Sequence, residues 1–418
     1  MSAMKQDRKE KGNVPNLRFP EFTGEWETVT LGECSESLDY GMNTSATEYD
    51  GHNKYIRITD IDEASSKYLS DNPVSPDGEL LDKYLVEDND ILFARTGAST
   101  GKTYIYDKID GKLYFAGFLI RAKIKQEYNA LFIFSQTQST TYDKWVKLMS
   151  MRSGQPGINS QEYASYKICL PSRQEQDKIA LFLSLINQRI ETQNKIIEKL
   201  ESLIKGLDNL LFCNRKSKPA LRFPEYLESW RKSTLKEFTS RVTRKNKDNE
   251  TQRALTIAAQ YGLVDQISFF NKQVASNDMS NYYLLYNGEF AYNKSYSKDY
   301  PWGAVKRLDS HEKGALSTLY ICFKPLDNVN SDYLVHYFES NKWYPAISEI
   351  AGEGARNHGL LNISIDAYFN TMHYIPSYEE QEKIASFLNL LCLKLEDEKT
   401  TLHLFEKQKL YFLRQMFI

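Results

Sequence analysis

The sequence predicts a mixed α/β (α+β) chain in which two globular domains are each followed by a long helix, the two helices pairing as an antiparallel coiled coil. Three observations predict this. A repeat recurs at an offset of 204–205 residues, each copy ends in a heptad-patterned helix, and strand-like runs are confined to the segments before those helices.

The repeat comes first. Residues 17–21 and 221–225 both read LRFPE, with Trp26 and Trp230 at matching distances and Thr-Leu pairs at 30–31 and 234–235. Residues 170–183 (LPSRQEQDKIALFL) and 375–388 (IPSYEEQEKIASFL) agree at nine of fourteen positions. The middles differ almost completely, with a faint echo of DNDILFARTG (88–97) near YNGEFAYNKS (286–295). Drift after duplication blurs a repeat evenly, whereas sharp ends with unrelated middles suggest one frame carrying two payloads. The expected segments are a disordered tail (1–15), a globule (16–171), a helix (172–213), a linker (214–220), a second globule (221–376) and a second helix (377–418).

Each helix opens with Pro-Ser and a Glu three positions on, Ser172 to Glu175 and Ser377 to Glu380, which is capping-box spacing. The first seam runs Ile179, Leu183, Ile186, Ile190, Gln193, Ile197, Leu200, Ile204, Leu207 and Leu211. The second runs Ile384, Leu388, Leu391, Leu395, Glu398, Leu402, Phe405, Lys409, Phe412 and Met416. Spacings of three and four sustained this long mark a coiled coil, and the polar breaks at Gln193 and Glu398 are equivalent positions. Two separate amphipathic helices are the plainer alternative, but the matched breaks favour pairing. At 1.5 Å per residue each helix would be roughly 50–60 Å long, a rod with a globule at either end.

In the globules, KYIRITDI, DILFAR, KTYIYD, GFLIRAKI, ALTIAA, EFAYN and LYICF read as strands, and helical patterns cover 130–148 and 331–350. The loops are polar and basic. RTGASTGKT (95–103) places only three residues between Gly97 and Gly101, one short of a P-loop. Its glycines would instead let backbone approach a phosphate or base, with Arg95, Thr96, Ser99 and Lys102 as candidate contacts. MRSGQPGIN adds Arg152, Gln155 and Asn159, among them the side-chain types that read guanine and adenine bidentately. Asn43, Thr44, Lys54 and Arg57 complete the first set. The second globule offers Arg244 and Lys245 in a basic run. It also offers Asn293, Lys294, Ser295, Tyr296, Lys306 and Arg307 in NKSYSKDYPWGAVKR, and Arg356-Asn357-His358. Singly, each of these loops reads more plainly as solvated surface.

Composition sets limits. Hydrophobic residues are 41% and charged residues 26%, an ordinary globular balance, with no apolar run of the roughly 18–20 residues a membrane span needs. The polar opening lacks the apolar core of a signal peptide. Five scattered cysteines without a C-x-x-C pair argue for a reducing, cytoplasmic setting and against a zinc site. The net charge of −2 is unusual for a nucleic-acid binder, but phosphate contact needs only a local basic face. Catalytic patterns are missing: no N-P-P-F or D-P-P-Y run, no G-x-G-x-x-G after a strand, no helicase acidic box and no H-x-x-x-H. No catalytic, cofactor-binding or metal-binding residue is expected.

The LRFPEF…W…L and LRFPEY…W…L openings, the two EQ-bearing helix starts and the DILFARTG…GK loop resemble the specificity subunits of type I restriction–modification systems, over nearly the whole chain. The second half departs from the pattern, with NKSYSKDYPWG in place of RTGASTGK. The resemblance implies two target recognition domains reading a bipartite site in double-stranded DNA, and paired helices acting as a ruler. It further implies two methyltransferase subunits carrying S-adenosylmethionine, ATP-driven restriction subunits, and no enzyme activity of the chain itself. A two-ended coiled-coil scaffold that binds protein is the alternative.

Overall fold

The computed structural model describes residues 12–151, 156–214, 217–271, 278–351 and 359–418. Most of the expected tail, residues 1–11, therefore lies outside the described residues. The chain divides into two compact units, Met1–Asn194 with Thr401–Ile418, and Lys195–Thr400.

The first unit is built on a four-stranded antiparallel sheet in the order Ser35–Tyr40, Leu119–Ile124, Asp90–Ala94, Thr103–Ile105. The runs DILFAR and GFLIRAKI form its two central strands, and every residue of Asp90–Ala94 is buried. A strand covered on both faces reads as a continuous apolar run rather than an alternating one. KYIRITDI is extended only over Lys54–Ile56, which pairs in parallel with Leu113–Phe115, and then turns into a single 3-10 turn. That turn is held by Arg57, which grips Asp60 through Nε and Nη2 at 2.8 Å each.

The second unit repeats the sheet in the same order: Thr239–Arg241, Ile321–Pro325, Phe290–Asn293, Ala304–Arg307. The helical patterns are each broken in two, as Ala130–Gln136 with Thr140–Ser150, and Ser331–Glu339 with Tyr344–Ser348. The first break falls where Ser139 caps a new helix by accepting the Tyr142 N–H at 3.3 Å, because a capping hydroxyl competes with helix continuation.

The long helices run Arg173–Leu211 and Tyr378–Gln415. In the first unit, the start of the first helix packs on the end of the second. Phe182 meets Phe412 at 4.8 Å between ring centroids, the Arg189 guanidinium lies 4.4 Å from the Phe405 centroid, and Ile179, Leu183 and Ile186 share a core with Leu413 and Met416. In the second unit, the end of the first helix packs on the start of the second, with Leu211 in one core with Ile384 and Leu388, and Lys399 3.0 Å from Glu201. Start against end in both units makes the pairing antiparallel. Ile179, Leu183, Ile186, Gln193, Ile197, Leu211, Ile384, Leu388 and Met416 are buried. The seam positions Ile190, Leu200, Ile204, Leu207, Leu391, Leu395, Glu398, Leu402, Phe405, Lys409 and Phe412 are half-buried.

The capping box is only half formed. Ser172 and Ser377 accept the Glu175 and Glu380 N–H groups, both at 3.4 Å. The glutamate carboxylates turn away to arginines of the LRFPE segments, Arg18 and Arg222. A bidentate guanidinium outcompetes a neutral backbone N–H. The neighbouring glutamines serve the frame as well. Gln176 accepts the Asn129 N–H at 3.0 Å and donates to Pro171 at 2.9 Å, and Gln381 does the same with Asn330 and Pro376 at 2.7 and 3.0 Å.

Candidate nucleic-acid interface

The loop after Asp90–Ala94 is clamped from two sides. The Arg95 N–H donates to Phe118 O at 3.0 Å, Ile158 N–H donates to Arg95 O at 2.9 Å, and Gly97 N–H donates to Pro156 O at 3.0 Å. The loop 95–102 and the PGIN segment, separate in sequence, thus share one surface. Gly97 (φ +69°) and Gly101 (φ +93°) take the left-handed conformations the turn requires.

The second unit repeats one side of this clamp. Leu361 N–H donates to Lys294 O at 2.9 Å, and Tyr296 N–H donates to Gly359 O at 3.2 Å. Further back, Asp90 accepts the Glu87 N–H and Glu289 accepts the Tyr286 N–H, both at 2.8 Å. Arg95, Thr96 and Gly97 therefore correspond to Lys294, Ser295 and Tyr296. This register differs by one residue from the echo legible in the sequence, where 88–97 matched 286–295. Asn293, which donates nothing to the clamp, accepts the Ser295 N–H at 3.0 Å.

Most of the other cationic candidates have internal partners. Lys54 donates to Asp110 O at 2.7 Å, Lys102 faces Glu63 at 3.5 Å, and Arg244 bridges both Glu289 oxygens at 2.7 and 2.9 Å while lying 4.1 Å from the Tyr286 centroid. Lys245 donates to Asn281 O at 2.8 Å and sits over Tyr283. Lys306 pairs with Glu339, and Arg307 binds Asp309 at 2.6 Å and Asp332 at 2.7 Å. Both lie along the strand away from Asn293, which faces Ala304. Arg95 and Lys294 are different: neither makes an ion pair among the described residues. Ser99 is half-buried in the loop, Asn43 is exposed, and the Thr44 hydroxyl donates to Asp77 O. Asn159 is occupied as the cap of Ser160–Ala164, accepting the Glu162 N–H at 2.9 Å. Arg152, Gln155, Arg356, Asn357 and His358 lie outside the described residues.

Two residues beside the first loop escaped sequence reasoning. Tyr40 places its ring 4.8 Å from the Arg95 guanidinium, and Phe118 is 58% exposed next to it. Fifty-five positions separate Tyr40 from Arg95, and no local pattern announces that the sheet brings them together. Among the described residues, no group of three or more His, Cys, Asp or Glu side chains is arranged to hold a metal, and no helix is long and apolar enough to cross a membrane.

The fold and site define a class: a duplicated α+β chain that presents one clamped polar loop per unit on a frame tied to antiparallel helices. Residues 23–202 match the model of the type I restriction modification DNA specificity domain. The chain is 27% identical over 234 residues to the type I restriction enzyme MjaVIII specificity subunit of Methanocaldococcus jannaschii, covering 53% of this chain. It spans about half, 50%, of that relative's length. In fold it is similar to the type I restriction–modification S subunit from M. genitalium (TM-score 0.56, 16% identity, 97% and 99% of the two chains covered). It is also similar to a chain from a structure of complex assembly and conformational transition of the type I R-M system (TM-score 0.54, 14% identity, 94% and 97% covered). The match to the DNA specificity domain thus lies in the first half of the chain, and the likeness to the solved S-subunit structures, which covers nearly the whole chain, is one of fold.

Proposed function

We infer that this chain is the non-catalytic, sequence-reading subunit of a type I restriction–modification enzyme. Its two recognition segments, 16–171 and 221–376, each read one half of a bipartite site in double-stranded DNA. The paired helices set the spacing and carry methyltransferase subunits, with restriction subunits joining the assembly. The observation that carries this reading is the pair of matching clamped loops bearing different side chains. Arg95-Thr96-Gly97 and Lys294-Ser295-Tyr296 are tied down by equivalent backbone hydrogen bonds, so the anchoring is held constant while the chemistry offered to a ligand varies. A protein scaffold has no need for two such loops, each with a cation that no carboxylate among the described residues neutralises, at the same place.

The test is DNA binding by the chain with its methyltransferase subunits across a salt series, joined to methylome sequencing of a host carrying the system. Phosphate contacts make affinity fall steeply with salt, and a bipartite methylated motif should emerge. Salt-independent binding and no motif would favour the scaffold.

A further inference from the structure

The first loop contains an arrangement that the second lacks. Arg95 makes no ion pair among the described residues, whereas Arg57, Arg121, Arg244 and Arg307 each meet a carboxylate. Its guanidinium is instead held against the Tyr40 ring, 4.8 Å from the centroid, with one weak hydrogen bond to Gly117 O at 3.4 Å. Tyr40 is itself fixed: its hydroxyl accepts the Ser160 N–H at 3.1 Å. Ser160 follows Ile158 and Asn159, and Ile158 is the residue that hydrogen-bonds the Arg95 carbonyl. One short segment thus locates both the backbone of Arg95 and the ring under its side chain. At its other end Tyr40 is followed by Gly41, where a Cβ would lie 2.3 Å from Ala116 O, so the strand end is pressed against the backbone of Phe115 and Ala116.

Strand pairing supplies the counterpart in the second unit. Tyr40 faces Ile120 on the central strand. Counting from the equivalent strand starts, where Ser35 and Thr239 both donate to the carbonyl four residues back at 2.7 Å, and allowing for the bulge between Ser35 and Ser37, the matching position is Thr243. Thr243 and Lys294 thus stand where Tyr40 and Arg95 stand. A lysine offers a flexible point charge, whereas a stacked guanidinium offers a planar fork of donors. An arginine free in solution would lose rotamer freedom on contact, and stacking removes much of that cost in advance.

We propose that Tyr40 is a positioning residue for sequence reading by the first unit, holding the Arg95 guanidinium flat so that it can donate two hydrogen bonds to a guanine of that unit's half-site. This rests on the DNA-reading function proposed above. Guanine is the base whose major-groove edge presents two acceptors, O6 and N7, matching the fork. A phosphate contact would use the same charge but carry no sequence information.

The experiment uses the full chain with its methyltransferase subunits and a 30-bp duplex carrying the methylome-defined site. Companion duplexes carry 7-deazaguanine, which lacks the N7 acceptor, at each guanine of the first unit's half-site. Tyr40→Leu should weaken binding to the cognate duplex about 3- to 30-fold, the range of a cation–π contact. It should also flatten the penalty for 7-deazaguanine at one position, with little change on a scrambled duplex. Tyr40→Phe, which keeps the ring, should restore most of the affinity. Arg95→Lys should behave like Tyr40→Leu, and this gives an independent reading if the leucine variant folds poorly. Equal losses on cognate and scrambled duplexes would overturn base reading in favour of phosphate contact, and a first-unit half-site without guanine would overturn it outright. Wild-type behaviour of both Tyr40→Leu and Tyr40→Phe, with Arg95→Ala impaired, would remove Tyr40 from the account and leave the proposed function intact. Undiminished binding by Arg95→Ala would instead count against the loop itself.

Discussion

Arg18 grips Glu175 with two hydrogen bonds, Nε to Oε1 at 2.8 Å and Nη2 to Oε2 at 2.7 Å, and Arg222 grips Glu380 with the same atoms at the same distances. Each glutamate is 1% exposed and each arginine about 15%. The clasp fastens the LRFPE segment to the start of a long helix 157 or 158 residues away. The same segment also docks on a helix end. Leu17 N–H donates to Gln415 O at 2.8 Å in the first unit, and Leu221 N–H donates to Leu210 O at 2.9 Å in the second. The chain therefore closes its first unit with its last helix in the way it closes its second unit with its first.

Removing either arginine leaves a buried carboxylate without its partner. Breaking such a pair costs about 3–5 kcal/mol when both groups are buried, and partial exposure of the arginine lowers the figure to about 2–3 kcal/mol. Arg18→Ala should destabilise the first unit and Arg222→Ala the second, by similar amounts, read by native-state hydrogen exchange resolved to each unit. Replacing Arg18 and Glu175 together should cost little more than replacing Arg18 alone. An additive double variant would mean the pair is not coupled.

The frame was more legible in the sequence than the loops. The repeated openings and EQ-bearing helix starts face each other in the clasps, and heptad positions near the helix ends, Ile179, Leu183 and Ile186 with Met416, and Leu211 with Ile384 and Leu388, form helix contacts. The capping-box glutamates misled because local spacing says nothing of Arg18 or Arg222, which lie over 150 residues away. Of the basic candidates, Arg57, Lys306 and Arg307 are held in ion pairs, which composition cannot distinguish from free cations. Tyr40 went unnoticed because only strand pairing brings its ring beside Arg95, and the second loop was displaced by one residue because nothing but backbone hydrogen bonds fixes its register.

Gly303 has φ +80°, and a Cβ there would sit 2.1 Å from the Asn293 carbonyl. Gly303→Ala must therefore push the strand after the 294–303 loop away from the strand before it. Reading of the second unit's half-site should be lost while the first is kept, as measured on duplexes altered in one half-site at a time. Gly262→Ala is the control, with φ +92° but open space around the new methyl. It should cost about 1 kcal/mol in stability and leave both half-sites readable.

Asp208 is 9% exposed and its Oδ1 has no hydrogen-bond partner among the described residues. Burial, reinforced by the Glu339 charge, pushes its pKa from the ordinary 3.8 up to about 7. The folded state thus holds this proton more tightly than the unfolded state. The group's contribution to stability is fully present below about pH 4 and is lost as pH rises to about 7. Asp208→Asn should flatten that slope and raise stability at pH 8 by as much as ~4 kcal/mol. Denaturant titrations of both proteins at pH 4 to 8 would show this, and parallel curves would contradict it.

Each long helix passes from one unit into the other, between Asn194 and Lys195 and between Thr400 and Thr401. Inserting one heptad into each, after Gln193 and after Glu398, keeps the seam in phase and adds about 10 Å at 1.5 Å per residue. If the helices set the spacing, the preferred gap between half-sites should lengthen by two or three base pairs with both half-site sequences unchanged. A folded variant that keeps the original gap would show that the distance is set elsewhere.

The central claim is that each unit reads its own half-site, and a chimera tests it most directly. Residues 16–171 would be replaced by the corresponding segment of a similar specificity subunit with a different target, and the methylome of a host carrying the chimera with the proposed partner subunits would be sequenced. The account predicts a bipartite motif in which one half has changed to that of the donor while the other half and the spacer are retained. A motif changed in both halves, or in neither, would contradict it.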